Sequence, residues 1–265
     1  MAGMRRDTDR KTREGWHARL TPVRVAVGGA LVSAASLIPA FPAPTEKEEQ
    51  MDIPFVGALG PQPGWSELDP ATSRIKAVPL GQSWLPGLEA GFQPGEVRVF
   101  RTGTHLVVLG AMTDAAPANP SRGLNAMHFR KGDAFEVFLK PPGGEAYWEI
   151  HVTPEGETYQ VRIPSAAEFQ ARRKEAGSIE DLVKPYLLDP PAARCLARRV
   201  ENRPGWDAAV FFPLPAESSG EWRVSGCRYD HPAGGGDPVL SSISPLTRRD
   251  FHHQADWLTR VMSEP

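Results

Sequence analysis

Three side chains that can do chemistry fall within sixteen residues of one another: Glu136, Glu149 and His151. Two carboxylates and an imidazole accept and donate hydrogen bonds in fixed directions. They therefore suit a polar ligand, or acid–base work if the two carboxylates face each other. They sit in two runs, Asp133 to Lys140 and Ala146 to Val152, separated by the cluster Pro-Pro-Gly-Gly-Glu. The cluster is turn chemistry, and the runs are rich in β-branched and aromatic residues, so the unit reads as a β-hairpin. Side chains alternate along a strand with period two. Phe135, Val137 and Leu139 then share one face with Trp148, Ile150 and Val152, a core face. Ala134, Glu136, Phe138 and Lys140 share the other with Tyr147, Glu149 and His151, and this second face has the look of a ligand-binding surface.

The elements that must position this face lie on both sides of it. Glu96 to Thr102 and His105 to Met112 read as a hairpin about Thr102-Gly103-Thr104. Within it, the continuous apolar run Leu106-Val107-Val108-Leu109 predicts a central strand covered on both faces. Thr158 to Ile163 follows the first hairpin as a third strand. Ala193 to Glu201, Trp206 to Leu214 and Glu221 to Tyr229 read as three more, and Leu258 to Met262 as a closing strand. Ser165 to Tyr186 breaks the pattern. Ser165 with Glu168 three residues on is a capping-box arrangement, and it predicts a short helical insertion lying over the sheet edge. Trp148, Trp206, Trp222 and Trp257 are expected in the core. The expected fold from these runs is all-β and antiparallel, with a short helical insertion. Residues 45–83 read as an irregular lead-in, with Asp69-Pro70 as a turn signal.

Composition excludes several classes. With 40% hydrophobic and 23% charged residues, a packed core is available. A net charge of −2 gives no pull on nucleic acid, and 27 Pro with 25 Gly favour a loop-rich β fold over a helical bundle. Residues 1–44 follow the plan of a signal peptide: a basic leader, the uncharged run Val25 to Ile38, then small residues and prolines. That run of 14 residues is short of the ~20 that span a bilayer. The expectation is export to the periplasm, cell envelope or medium, with an uncleaved N-terminal anchor as the only membrane contact. The two cysteines, Cys195 and Cys227, would be free to form a disulfide in that setting.

The hairpin also carries a family resemblance. Gly-Asp-x-x-Glu-Val-Phe-Leu, a turn, and Tyr-Trp-Glu-x-x-Val-x-Pro-x-Gly resemble the family 9 carbohydrate-binding modules and their DOMON-like relatives. Gly205-Trp206, Glu221-Trp222-Arg223-Val224 leading to Arg228, Ser242-Ile243-Ser244-Pro245 and Phe251-His252 through Trp257-Leu258 follow in the same order. The resemblance covers residues 84–262 and implies a non-catalytic antiparallel β-sandwich, jelly-roll-like, that binds a glycan or oligosaccharide beside glycoside hydrolases. It places sugar contacts on Glu136, on His151 where sugar-binding members carry arginine, and on Ser225 where they carry an amide. The family's tryptophan clamp falls on His128-Phe129-Arg130 and on Phe251, so two tryptophans have become at best two phenylalanines. Asp133 and Arg228 are expected to be structural. Structural calcium is common in the family, and no ligand run here assigns it.

Four other readings compete. Read blandly, Glu136 and His151 are a solvent-exposed ion pair worth ~0–1 kcal/mol. Glu136 and Glu149 could be the carboxylates of a glycosidase, which need a separation of about 5–10 Å. A haem-binding DOMON-type electron-transfer domain would need an axial pair from Met112, Met127, His105 and His128. A structural sandwich that has lost its ligand would need none of these.

Overall fold

The computed structural model describes residues 51–57, 59–60 and 62–263, so the expected leader at 1–44 lies outside the described residues. In chain order the elements are β1 (Met51–Asp52), α1 (Trp65–Thr72), β2 (Val78–Pro79), β3 (Gly95–Arg101), β4 (His105–Met112), β5 (Ala134–Lys140), β6 (Tyr147–Val152) and β7 (Thr158–Ile163). Then follow α2 (Ala166–Glu175), α3 (Ile179–Val183), β8 (Arg194–Arg199), β9 (Trp206–Pro213), β10 (Gly220–Asp230), β11 (Val239–Ser242) and β12 (Leu258–Met262). A seven-stranded sheet runs β1-β12-β10-β5-β6-β7, with β11 also on β10, and a five-stranded sheet runs β2-β3-β4-β9-β8. Pairings between these strands are antiparallel except that of β1 with β12. Among the described residues no helix is long and apolar enough to cross a membrane.

The two sheets close on the face that alternation marks as apolar. Phe135, Val137 and Leu139 of β5 and Ile150 and Val152 of β6 meet Leu106, Val108 and Met112 of β4 and Trp206, Ala208 and Val210 of β9. Gly110 sits in mid-strand because the facing Phe135 ring uses its place: a Cβ there would stand 2.8 Å from the ring. Trp206, Trp222 and Trp257 are buried, as expected, and Trp148 packs partly buried at the core's edge. The helical insertion also forms: the Ser165 hydroxyl accepts from the Glu168 N–H at the start of α2.

The lead-in is not irregular. Its β1 and β2 extend the two sheets, and α1 lays wholly buried Leu68 on Phe100, Val107, Leu109 and Phe211, the outward side of the five-stranded sheet. Glu67 caps α1 by accepting from the Gly64 N–H at 3.1 Å. Asp69-Pro70 therefore lies inside a helix. Proline removes one backbone hydrogen bond there, and burial of Leu68 outweighs it. The Cys195–Cys227 disulfide is corrected too: both thiols are free. Cys195 is on β8, in the five-stranded sheet. Cys227 is on β10, in the other, and hydrogen-bonds to Ser225 and Ser242 on the side turned away from the core.

Candidate functional site

Strand register assembles the polar face. Across the seven-stranded sheet, Tyr159 stands opposite His151, His151 opposite Glu136, Glu136 opposite Cys227, and Cys227 opposite Ser242. Glu149 lies one pleat along β6 on the same side. The imidazole is the hub: His151 Nε2 is 2.7 Å from Glu149 Oε1 and 3.2 Å from Glu136 Oε1. The second oxygen of Glu149 is 3.6 Å from Nε2 of His252, whose Nδ1 is 3.0 Å from the Tyr147 hydroxyl.

The face is covered, which corrects the expectation of an open binding surface and removes the exposed ion pair. Glu136 is 3% exposed, Glu149 6% and His151 0%. The roof is aromatic. Phe129 packs edge-on to His151 at 5.6 Å between ring centroids and lies 5.4 Å from Tyr229. Tyr229 lies 5.7 Å from Phe251, which lies 6.4 Å from Trp84. Phe169 of α2 stacks on His252 at 4.4 Å. The two phenylalanines expected to clamp a ligand thus hold Tyr229 between them. β10 carries Ser225, Cys227 and Tyr229 to the same face by alternation, so the tyrosine was findable from parity once the register was known.

Each site residue expected from sequence has a place in this arrangement. Glu136 and His151 meet but are almost wholly buried. Ser225 is buried, 3.1 Å from the Ser242 hydroxyl and 2.8 Å from that of Ser244. Phe251 is 6% exposed. In this conformation these four cannot touch a ligand. Phe129 is partly exposed, and Arg130 reaches solvent, paired with Glu180 of α3 at 2.7 Å.

Burial and charge set the protonation of the cluster. Desolvation pushes Glu136 up to about 8; His151 opposes the shift and Glu149 adds to it. Burial alone would depress His151, but Glu136 and Glu149 raise it above the usual imidazole value. Burial likewise acts to raise Glu149, yet His252 and His151 hold it below the carboxylate range. The three groups thus form one charge-linked cluster in which Glu136 holds its proton to higher pH than Glu149 does. Three atoms in and beside it, Glu149 Oε2, His151 Nδ1 and the Tyr159 hydroxyl, are buried with no hydrogen-bond partner.

A second buried cluster, Asp114, Asp133 and Asp230, could suggest the calcium that the resemblance implies. It does not fit. The Arg228 guanidinium already supplies the cation, 3.0 Å from Asp114 and 3.0 Å from Asp230. Asp133 accepts from the Ala118 and His231 N–H groups and pins two loops, the structural part expected of it. A glycosidase pair is not formed either: Glu136 and Glu149 offer oxygens within 4.8 Å of each other, with His151 between them and no room for a sugar. For haem, His105 and Met112 stand at opposite ends of β4, and His128 Nδ1 is held at 2.6 Å by Ser121. A cavity of about 250 Å³ opens at the β5–β6 turn beside Lys140 and Arg223. Its lining has no aromatic plane.

No family model and no curated protein matches the chain. Solved structures do. A candidate carbohydrate-binding protein from Bacteroides uniformis superposes with a TM-score of 0.57 at 14% identity, over 81% of this chain and 99% of that one. A family 9 carbohydrate-binding module from Caldicellulosiruptor kristjanssonii in complex with cellotriose gives 0.54 at 9% identity, over 81% and 95%. Its complex with glucose gives 0.52 at 9%, over 80% and 95%. At such identities the likeness shows a shared fold, the β-sandwich of family 9 carbohydrate-binding modules.

Proposed function

We propose that the chain is a non-catalytic carbohydrate-binding module, exported and working beside enzymes that break down polysaccharides. The observation that carries this reading is the partly exposed aromatic seam of Trp84, Tyr229 and Phe129 over the polar row. Aromatic planes pack against the C–H faces of sugars, and a few polar groups fix orientation. Arg130 supplies a donor at the rim. Two of the fold's neighbours hold glucose and cellotriose, which supports a sugar as ligand without naming this chain's own. Glu136 and His151 support the seam from below rather than touching the sugar.

Calorimetry against glucose, cellotriose and a panel of soluble plant and microbial oligosaccharides tests this. One member should bind, and Phe129→Ala and Trp84→Ala should each weaken it about tenfold, ~1.4 kcal/mol. Glu136→Gln should leave affinity within twofold. No binding across the panel, or binding indifferent to both aromatic substitutions, would refute the seam as the site.

A further inference from the structure

The sugar reading asks of the buried cluster beneath the seam only that it support the aromatic rings. Two carboxylates and an imidazole that ordinarily seek water are gathered on a covered sheet face at the cost of their hydration. A structural ion pair needs one carboxylate, and here there are two. Glu149 keeps an oxygen without a hydrogen bond, and the wholly buried Tyr159 hydroxyl in the same row also has none, its ring 4.6 Å from that of His151. Unpartnered buried polar atoms mark a place where a water or an ion is missing from the account.

The geometry is that of a coordination shell drawn slightly tight. His151 Nε2 is 3.2 Å from Glu136 Oε1 and 2.7 Å from Glu149 Oε1, and one ligand atom from each of the three residues lies within 4.8 Å of the other two. Ligands at ~2.1 Å from a tetrahedral metal stand about 3.4 Å apart, so small rotations of the two glutamates suffice. The donor set, one imidazole and two carboxylates, suits a borderline divalent ion such as zinc and is unlike the all-oxygen shell of calcium. His252, 3.6 Å from the free oxygen of Glu149, is placed to orient that ligand. We propose that Glu136, Glu149 and His151 form a buried three-ligand site for a first-row divalent transition metal of the zinc type. The site ties β5 to β6 under the aromatic seam. It goes beyond the sugar reading and does not depend on it.

The full chain, stripped with a chelator, is titrated with zinc chloride by calorimetry, and with cobalt(II) by visible absorption. One equivalent of zinc should bind with a Kd at or below the micromolar range and raise Tm. Cobalt should give d–d bands that zinc abolishes. Glu149→Gln and His151→Phe should each lose about 100-fold in zinc affinity, with folding checked by circular dichroism in the chelator. Should either variant fail to fold, anomalous scattering from zinc-soaked wild-type crystals decides, because it places the metal directly. No zinc taken up by the folded wild type, zinc found only at surface histidines, or unchanged affinity in the folded variants would overturn the proposal. Sugar binding measured in the chelator separates that failure from failure of the seam.

Discussion

Between about pH 4.5 and 8 the folded chain keeps a proton on Glu136 that the unfolded chain gives up, because burial pushes this carboxyl up to about 8. A raised pKa means that the native state binds more protons, so stability falls as pH climbs through that window. His151 acts in the same direction, since its folded value is also raised and its contribution is lost as pH rises. Glu149 is depressed, so its contribution is complete above the ordinary carboxylate range and does not oppose them there. In metal-free protein, Tm should therefore drop from pH 5.5 to pH 8 by at least roughly 2–4 °C, the change about 1 kcal/mol makes in a domain of this size. Glu136→Gln should flatten the slope and melt above wild type at pH 8. Scanning calorimetry across the range checks this. A Tm that rises with pH, or an unchanged slope in the variant, would mean that Glu136 is not held neutral.

Among the elements, α1 gives the clearest test of what holds the sandwich together. Leu68 is its one wholly buried apolar residue, and it rests on Phe100, Val107, Leu109 and Phe211. Leu68→Ala should cost about 2–5 kcal/mol, as for other large-to-small changes in a core, read as a lower urea midpoint at constant m-value. A cost under 1 kcal/mol would show that α1 merely rests on the sheet. The sequence makes some of this legible and hides the rest. The run Leu106 to Leu109 foretold a strand covered on both faces, because no polar residue interrupts it. What covered it stayed hidden: residues 65–72 include a proline and only a few apolar positions, and their helix exists through contact with the sheet. Likewise, alternation put Glu136, Glu149 and His151 on one face. It could not say that a roof would close over them, since the roof comes from residues 129, 229 and 251, far apart in the chain.

At the scale of the molecule, the boundary is what the sequence misplaced. Residue 84 looked like the start of the sandwich because the family resemblance begins there. The structure shows both sheets, and the outer face of the five-stranded one, depending on earlier residues. Ile53 and Leu80 are in the core between the sheets, β1 borders β12, β2 borders β3, and Arg198 of β8 grips Asp69 of α1 through two contacts of 2.7 Å. The compact unit runs from Lys47 to Pro265. A chain starting at residue 84 would bare Phe100, Val107, Leu109, Ala209 and Phe211 as one apolar patch, a surface that soluble monomers rarely present. It would also free the edge of β3, which invites pairing between molecules. The 84–265 fragment should therefore elute as aggregate and show no cooperative melt, while a chain from Lys47 should elute as a discrete species with a single transition. Size-exclusion chromatography with calorimetry decides between them. A monomeric 84–265 fragment with the Tm of the longer chain would show that the earlier residues only decorate a self-sufficient sandwich, and that the packing of α1 contributes nothing the strands do not already supply.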